Sequence, residues 1–260
     1  MSNYVLPLIL TLFAGMSTLL GGFVTFFVKR NNLKALSIGL GFSAGVMVYI
    51  SLSELMNEAP QMLSSFYSSI PSKALAFIGF LFGIIIAILI DYFIPDHIES
   101  DFLNTSKKYQ RQKIRRAGLI TALAVTLHNF PEGIATFLVS SQDLRLGIPV
   151  AIAIAIHNIP EGIAIALPIF HSTGKKRLTI LYTFLSGISE PIGGLIGVLL
   201  LRTIMPAQAV GIMTAAVAGI MVYISFDTLL PLAREYGENH HVIIGIVSGM
   251  LIMSLGLIFL

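Results

Sequence analysis

One six-residue pattern, His-Asn-x-Pro-Glu-Gly, occurs twice in this chain, as residues 128–133 (HNFPEG) and again 29 residues later as 157–162 (HNIPEG). On a helix, a His at i and a Glu at i+4 share one face, and an Asn at i+1 lies three residues before the same Glu. His128, Asn129 and Glu132 can therefore point into one volume, and so can His157, Asn158 and Glu161. Each set offers an imidazole nitrogen, an amide oxygen and a carboxylate. A third carboxylate, Glu190, follows in the stretch SGISEPIGG with Pro191 directly behind it. The chain has no cysteine, so thiolate sites and disulfides are excluded. Imidazole with carboxylate and amide oxygen suits Zn²⁺, Fe²⁺, Mn²⁺ or Co²⁺ and disfavours Cu⁺. Three carboxylates, two His and two Asn suffice for one ion, and for two if glutamates bridge.

These residues lie in surroundings that should repel them. Of 260 residues, 55% are hydrophobic and only 11% are charged, against about 25% charged in soluble domains. Such a chain cannot cover a water-facing surface and reads as an integral membrane protein. Eight runs reach the roughly 20 apolar residues that a bilayer requires: 4–28, 33–56, 72–94, 117–140, 145–170, 178–201, 206–231 and 242–260. Their length and continuity point to helices rather than the short alternating segments of a β-barrel. The fold expected is all-α, a single polytopic membrane domain of eight transmembrane helices. The N-terminal stretch MSNYVLPLILTLFAG lacks a basic n-region and reads as the first span rather than a signal peptide. The segment 95–116 reads as one long polar, basic loop; the other connections are short.

Orientation follows from the cations. With the N-terminus outside, thirteen of the sixteen Lys and Arg fall on inner loops, and only Lys73, Arg145 and Arg202 fall outside. That is a strong positive-inside bias, so both termini are expected outside and the 95–116 loop in the cytoplasm. The net charge of +3 is explained by topology and implies no nucleic-acid partner.

The spans also repeat. AGVMVYISLSEL (44–55) in the second span recurs as AGIMVYISFDTL (218–229) in the seventh, with eight of twelve positions identical. Those two spans run in opposite directions, as do the fourth and fifth that carry the hexads. A 3+2+3 arrangement is expected, three helices, a central pair and three inverted helices, of the kind common in secondary transporters.

Depth sharpens the chemistry. Glu132, Glu161 and Glu190 all fall near mid-bilayer, where one acidic residue costs about 2.5–3.5 kcal/mol on insertion scales. No Lys or Arg lies at that depth in spans four to six, so protons or a cation must balance them. A lone His in a membrane helix is more often a helix–helix hydrogen bond than a ligand. The duplication, with a third Glu-Pro at equal depth, argues against that structural role. Pro131 and Pro160 cannot donate backbone hydrogen bonds, which leaves the carbonyls of Leu127 and Ile156 without their usual partner and predicts a bend. Gly133 and Gly162 permit close helix approach.

The paired HNFPEG and HNIPEG, the SEP of span six and the eight-span layout resemble the ZIP (Zrt/Irt-like protein) metal transporters, in particular a bacterial branch. The resemblance covers nearly the whole chain, and the hexads are its specific part. It implies uptake of divalent metal, zinc with iron, manganese or cobalt, into the cytoplasm across a bacterial inner membrane through a binuclear site. One metal would take His128, Glu132, His157 and Glu161; its neighbour would take Asn129, Glu132, Asn158, Glu161 and Glu190, with Glu132 and Glu161 bridging. The loop departs from the family, since 95–116 holds only His97, beside Asp96, Glu99 and Asp101, where many members carry a His-rich stretch.

Several residues have more than one reading. Met47, the repeat partner of Met221, is a soft transient ligand or core; Glu54 and Asp227 are a polar vestibule, a gate or helix ends; His171, His240 and His241 are exit ligands or incidental. An intramembrane zinc metalloenzyme, a protease or lipid hydrolase, is the alternative function. It would need three ligands and an activated water, yet no His-Glu-x-x-His occurs. A proton pump using the glutamates as a relay is a third. No catalytic residue and no prosthetic group is expected, the bound metal being cargo. The partners expected are divalent metal ions and membrane lipids, with room for a homodimer.

Overall fold

A computed structural model describes residues 4–30, 32–93, 107–200 and 207–258. Among these, eight helices are long and apolar enough to cross a bilayer: α1 (Val5–Phe27), α2 (Leu33–Ser64), α3 (Ser69–Phe93), α4 (Lys108–Gln142), α5 (Leu144–Thr173), α6 (Lys176–Leu199), α7 (Ala209–Tyr236) and α8 (Asn239–Ile258). The described residues contain no strand. The protein is an all-α, multi-pass membrane protein.

Local chemistry sets the helix ends. Asn32 caps α2 by accepting from the Ala35 N–H at 3.1 Å, and Asp143 caps α5 through the Arg145 N–H at 2.8 Å, each satisfying an orphan donor of a first turn. Gly174 ends α5 at φ 67°, a left-handed cap that glycine adopts without steric cost. The expected loop 95–116 is shorter than its polarity suggests, because the chain is helical from Lys107 onward. Straight-chain Lys, Gln and Arg are good helix formers even where they are not apolar. His97, Asp96, Glu99 and Asp101 lie outside the described residues, as does Arg202.

A single residue, Asp143, separates α4 from α5, so these helices form a tight hairpin. His128 stands 15 positions before Asp143 and His157 stands 14 after it, from 143 − 128 and 157 − 143. At the constant rise of an α-helix, near-equal distance from the turn puts the two hexads at about one height, facing each other. Both helices run unbroken through Pro131 and Pro160. The lost hydrogen bond does not interrupt the helix, because neighbouring helices support it on several sides; Ser43 of α2, for example, donates to the Pro160 carbonyl at 2.7 Å.

Packing is densest along α2–α8, α1–α5, α3–α7 and the α4 hairpin with α5 and α6. Glycines let these backbones touch, and the touching residues recur in pairs. A Cβ on Gly21 of α1 would overlap the carbonyl oxygen of Ile159 of α5, and one on Gly193 of α6 would overlap that of Phe130 of α4. Ile159 and Phe130 are the same hexad position. Gly245 meets the Ile38 carbonyl, as Gly79 meets that of Ile212. The stretches 51–55 and 225–229 both open into one π-turn, with Ser51 donating to the Met47 carbonyl at 2.6 Å and Ser225 to that of Met221 at 2.7 Å.

Replacing Gly83 with Ala should destabilise the detergent-solubilised protein by about 1–3 kcal/mol, the usual cost of overpacking, because the new methyl would strike the Ala216 backbone. Gly256→Ala, where the nearest atom is 4.0 Å away, should be neutral or slightly stabilising. Thermal unfolding of the two variants compares them.

Candidate metal site

The α4–α5 hairpin crosses its polar pairs. His128 Nε2 of α4 lies 2.8 Å from Glu161 Oε1 of α5, while His157 Nε2 of α5 lies 3.5 Å from Glu132 Oε2 of α4. Each imidazole thus meets the carboxylate of the other hexad. Glu190 enters from α6 and accepts from Asn158 Nδ2 at 2.7 Å; the same nitrogen is 3.0 Å from the Ala14 carbonyl of α1. The Asn129 amide sits between acceptors. One end meets the Ser186 carbonyl at 3.3 Å. The other lies 3.1 Å from His128 Nε2 and from the Val125 carbonyl, and 3.3 Å from Glu161 Oε2, and its nitrogen satisfies most partners when turned that way. The structure therefore brings all seven expected residues together on three helices. They are buried, Glu132 being the most exposed at 7%.

Several polar atoms remain unmatched. Glu132 Oε1, Asn158 Oδ1 and Glu190 Oε1 are buried acceptors with no donor, and His128 Nδ1 also lacks a partner. Among the described residues no Lys or Arg is buried, so none supplies the missing charge. Also among the described residues, no three His, Asp or Glu side chains enclose one point as a ligand group would. The His–Glu pairs hold these side chains against one another.

A cavity of about 150 Å³ reaches the site from the end of the bundle that carries Met62, Val139, Val150 and Val210; Glu132 and His157 form its floor, and Glu54 and Glu58 line its wall. Glu58 escaped the sequence reading. Its signal was its spacing, four residues after Glu54, which places both carboxylates on one helix face. Asp227, which lies one residue out of register with Glu54 in the repeat, does not line this cavity and hydrogen-bonds Tyr223 instead. Met47 and Met221 are fully buried in the main apolar core, so packing is their role. The His171 carbonyl accepts from Arg30 at 3.2 Å, and His240 and His241 lie in the first turn of α8.

The family described as ZIP Zinc transporter matches residues 96–256. The chain belongs to this family. Similarity extends beyond the match: a protein named Zinc transporter ZupT from Clostridium perfringens is 44% identical, aligned over 99% of this chain and 97% of its own length. Proteins of the same name from Akkermansia muciniphila and Streptococcus mutans are 45% and 46% identical, each over 96% of both chains. The ZIP family is one of transporters, which leaves the metalloenzyme alternative without support.

Asn158 ties Glu190 and α1 to this ZIP site through one amide. Asn158→Leu should destabilise the protein by about 1–3 kcal/mol by leaving the Glu190 carboxylate and the Ala14 carbonyl unpaired. It should also weaken zinc binding by at least about tenfold. Calorimetric zinc titration of the detergent-solubilised variant reads the second effect.

Proposed function

We propose that the chain carries Zn²⁺, and with it Fe²⁺, Mn²⁺ or Co²⁺, across a bacterial inner membrane into the cytoplasm, using His128, Asn129, Glu132, His157, Asn158, Glu161 and Glu190 as its metal site. The observation that carries this reading is the set of donorless buried acceptors, Glu132 Oε1, Asn158 Oδ1 and Glu190 Oε1, in a bundle whose described residues include no buried Lys or Arg. A divalent cation supplies what those atoms lack. The names of the curated relatives support zinc as the principal cargo.

The positive-inside bias puts both termini outside, so the cavity opens outward. An ion entering it passes Glu54 and Glu58, then meets Glu132 and His157 at the floor. Binding replaces the His–Glu hydrogen bonds with metal–ligand bonds and releases both imidazoles as nitrogen donors. The family resemblance implies that Glu132 and Glu161 bridge two ions, His128 and His157 serving one and the two Asn with Glu190 the other; the carboxylates' reach across the hairpin supports that reading. The recurring glycine contacts and the paired π-turns support the 3+2+3 inverted arrangement, and with it alternating access rather than a continuous pore. The protein is no enzyme, and its chemistry needs no prosthetic group. Lipid covers the outward apolar residues of α3 and α8, such as Phe77, Phe82 and Leu251, a surface that a second copy can share in a homodimer.

Zinc uptake into proteoliposomes tests the reading. The native chain should accumulate Zn²⁺, and Glu132→Ala and Glu161→Ala should fall to the level of protein-free vesicles. Undiminished uptake by both variants would overturn it. A panel of competing divalent metals, run at two proton gradients, ranks Fe²⁺, Mn²⁺ and Co²⁺ and reads the energy source.

A further inference from the structure

Four cations at one end of the bundle are engaged. Lys113 pairs with Glu235 at 2.7 Å and Arg116 with Asp91 at 3.2 Å. Arg30 donates to the carbonyls of His171 and Ser172, both at 3.2 Å, and Lys176 lies 5.1 Å from the centre of the Phe26 ring. Others are not engaged. Lys108, Arg111 and Arg115 of α4 and Lys175 before α6 have no carboxylate partner among the described residues, and all four are exposed. These four line one cleft of about 470 Å³, with Gln112, Ser172, Thr173 and Leu178 completing its wall. Lys108, Arg111 and Arg115 recur at the spacing that stacks residues on one helix face, and Lys175 closes the cleft from the opposite side. Lys175 also sits at the N-cap of α6 with no side-chain acceptor for the first-turn N–H groups, so the positive end of that helix adds to the same field.

We infer that this cleft is an anion site for a phosphate group. Four unpaired cations repel one another, and a phosphate oxyanion relieves that repulsion while accepting from the guanidinium forks of Arg111 and Arg115, whose geometry suits phosphate. The cleft lies where the polar inner ends of α4, α5 and α6 meet, the level of the headgroups of the cytoplasmic leaflet in the orientation proposed above. A headgroup phosphate of an anionic phospholipid and free phosphate present the same chemistry. A bound phosphate bridges the inner ends of both hexad helices and α6, which distinguishes the site from diffuse attraction between a basic surface and acidic lipid.

The test measures binding of phosphatidylglycerol, phosphatidylcholine and inorganic phosphate to the whole detergent-solubilised protein by native mass spectrometry. The comparison is Arg111→Gln/Arg115→Gln against Lys176→Gln/Arg177→Gln, which removes the same charge at the same end outside the cleft. Phosphatidylglycerol should bind the native chain, and the cleft variant should bind it about thirtyfold more weakly, as the loss of two cations near a phosphate implies, with the control nearly unchanged. Displacement of the lipid by inorganic phosphate identifies free phosphate as a second source; no displacement identifies the headgroup alone. Equal loss in both variants would mean diffuse surface attraction and would overturn the site. Failure of the native chain to bind both phosphatidylglycerol and inorganic phosphate would overturn it as well.

Discussion

Three carboxylates held inside a bilayer bundle, with no buried cation among the described residues, are the constraint on which the rest of this structure depends. Each would cost several kcal/mol if charged and alone. The chain answers by crossing the pairs. Each hexad lends its imidazole to the other's carboxylate, and Asn158 lends its amide to Glu190. These contacts hold the acceptors in place but do not exhaust them, and the oxygens left over are the hard donors that a divalent cation binds. A site that satisfied every atom within the protein would have little reason to take up an ion.

The geometry that permits the crossing is built from glycine and from the hairpin. Asp143 alone joins α4 to α5, which sets the hexads level. Gly133 and Gly162 then admit the neighbouring backbones, the Glu190 carbonyl of α6 against one and the Thr18 carbonyl of α1 against the other. Glu190 and Thr18 thus stand in corresponding places on the two sides of the hairpin, and only one of them is a carboxylate. The Thr18 hydroxyl is fully buried and without a partner. The two flanks are alike in backbone and different in charge, so the acidic flank is the one that faces α6.

Much of this was legible in the residues themselves. The hexads announced their chemistry through types that an apolar run should exclude, and i/i+4 spacing placed His and Glu on one face without coordinates. The 44–55 and 218–229 repeat was visible because eight of twelve residues are identical. The matching pair in α1 and α6 is faint in sequence, since AGMSTLLGG (14–22) and SGISEPIGG (186–194) share only Gly, Ser, Gly and Gly. Those shared residues are the ones that make contact: Gly15 and Gly187 touch each other's carbonyls, and Ser17 and Ser189 each donate to the carbonyl three residues back at 2.6 Å. Small residues carry geometry with little sequence signal. Glu58 was missed because it follows the end of the expected second span, and the helix runs on to Ser64 where hydropathy alone had stopped. The prolines do not interrupt their helices for a related reason: a missing hydrogen bond is a local fact, whereas a helix buried among neighbours is held by all of them.

The most direct measurement is the location of zinc by anomalous diffraction from crystals of the zinc-loaded protein. Zinc should lie between α4 and α5, within bonding distance of His128 or His157 and of Glu132 and Glu161, with Glu190 beside it. Zinc bound only at surface residues such as His240 and His241, with the His128–Glu161 and His157–Glu132 pairs intact, would contradict it.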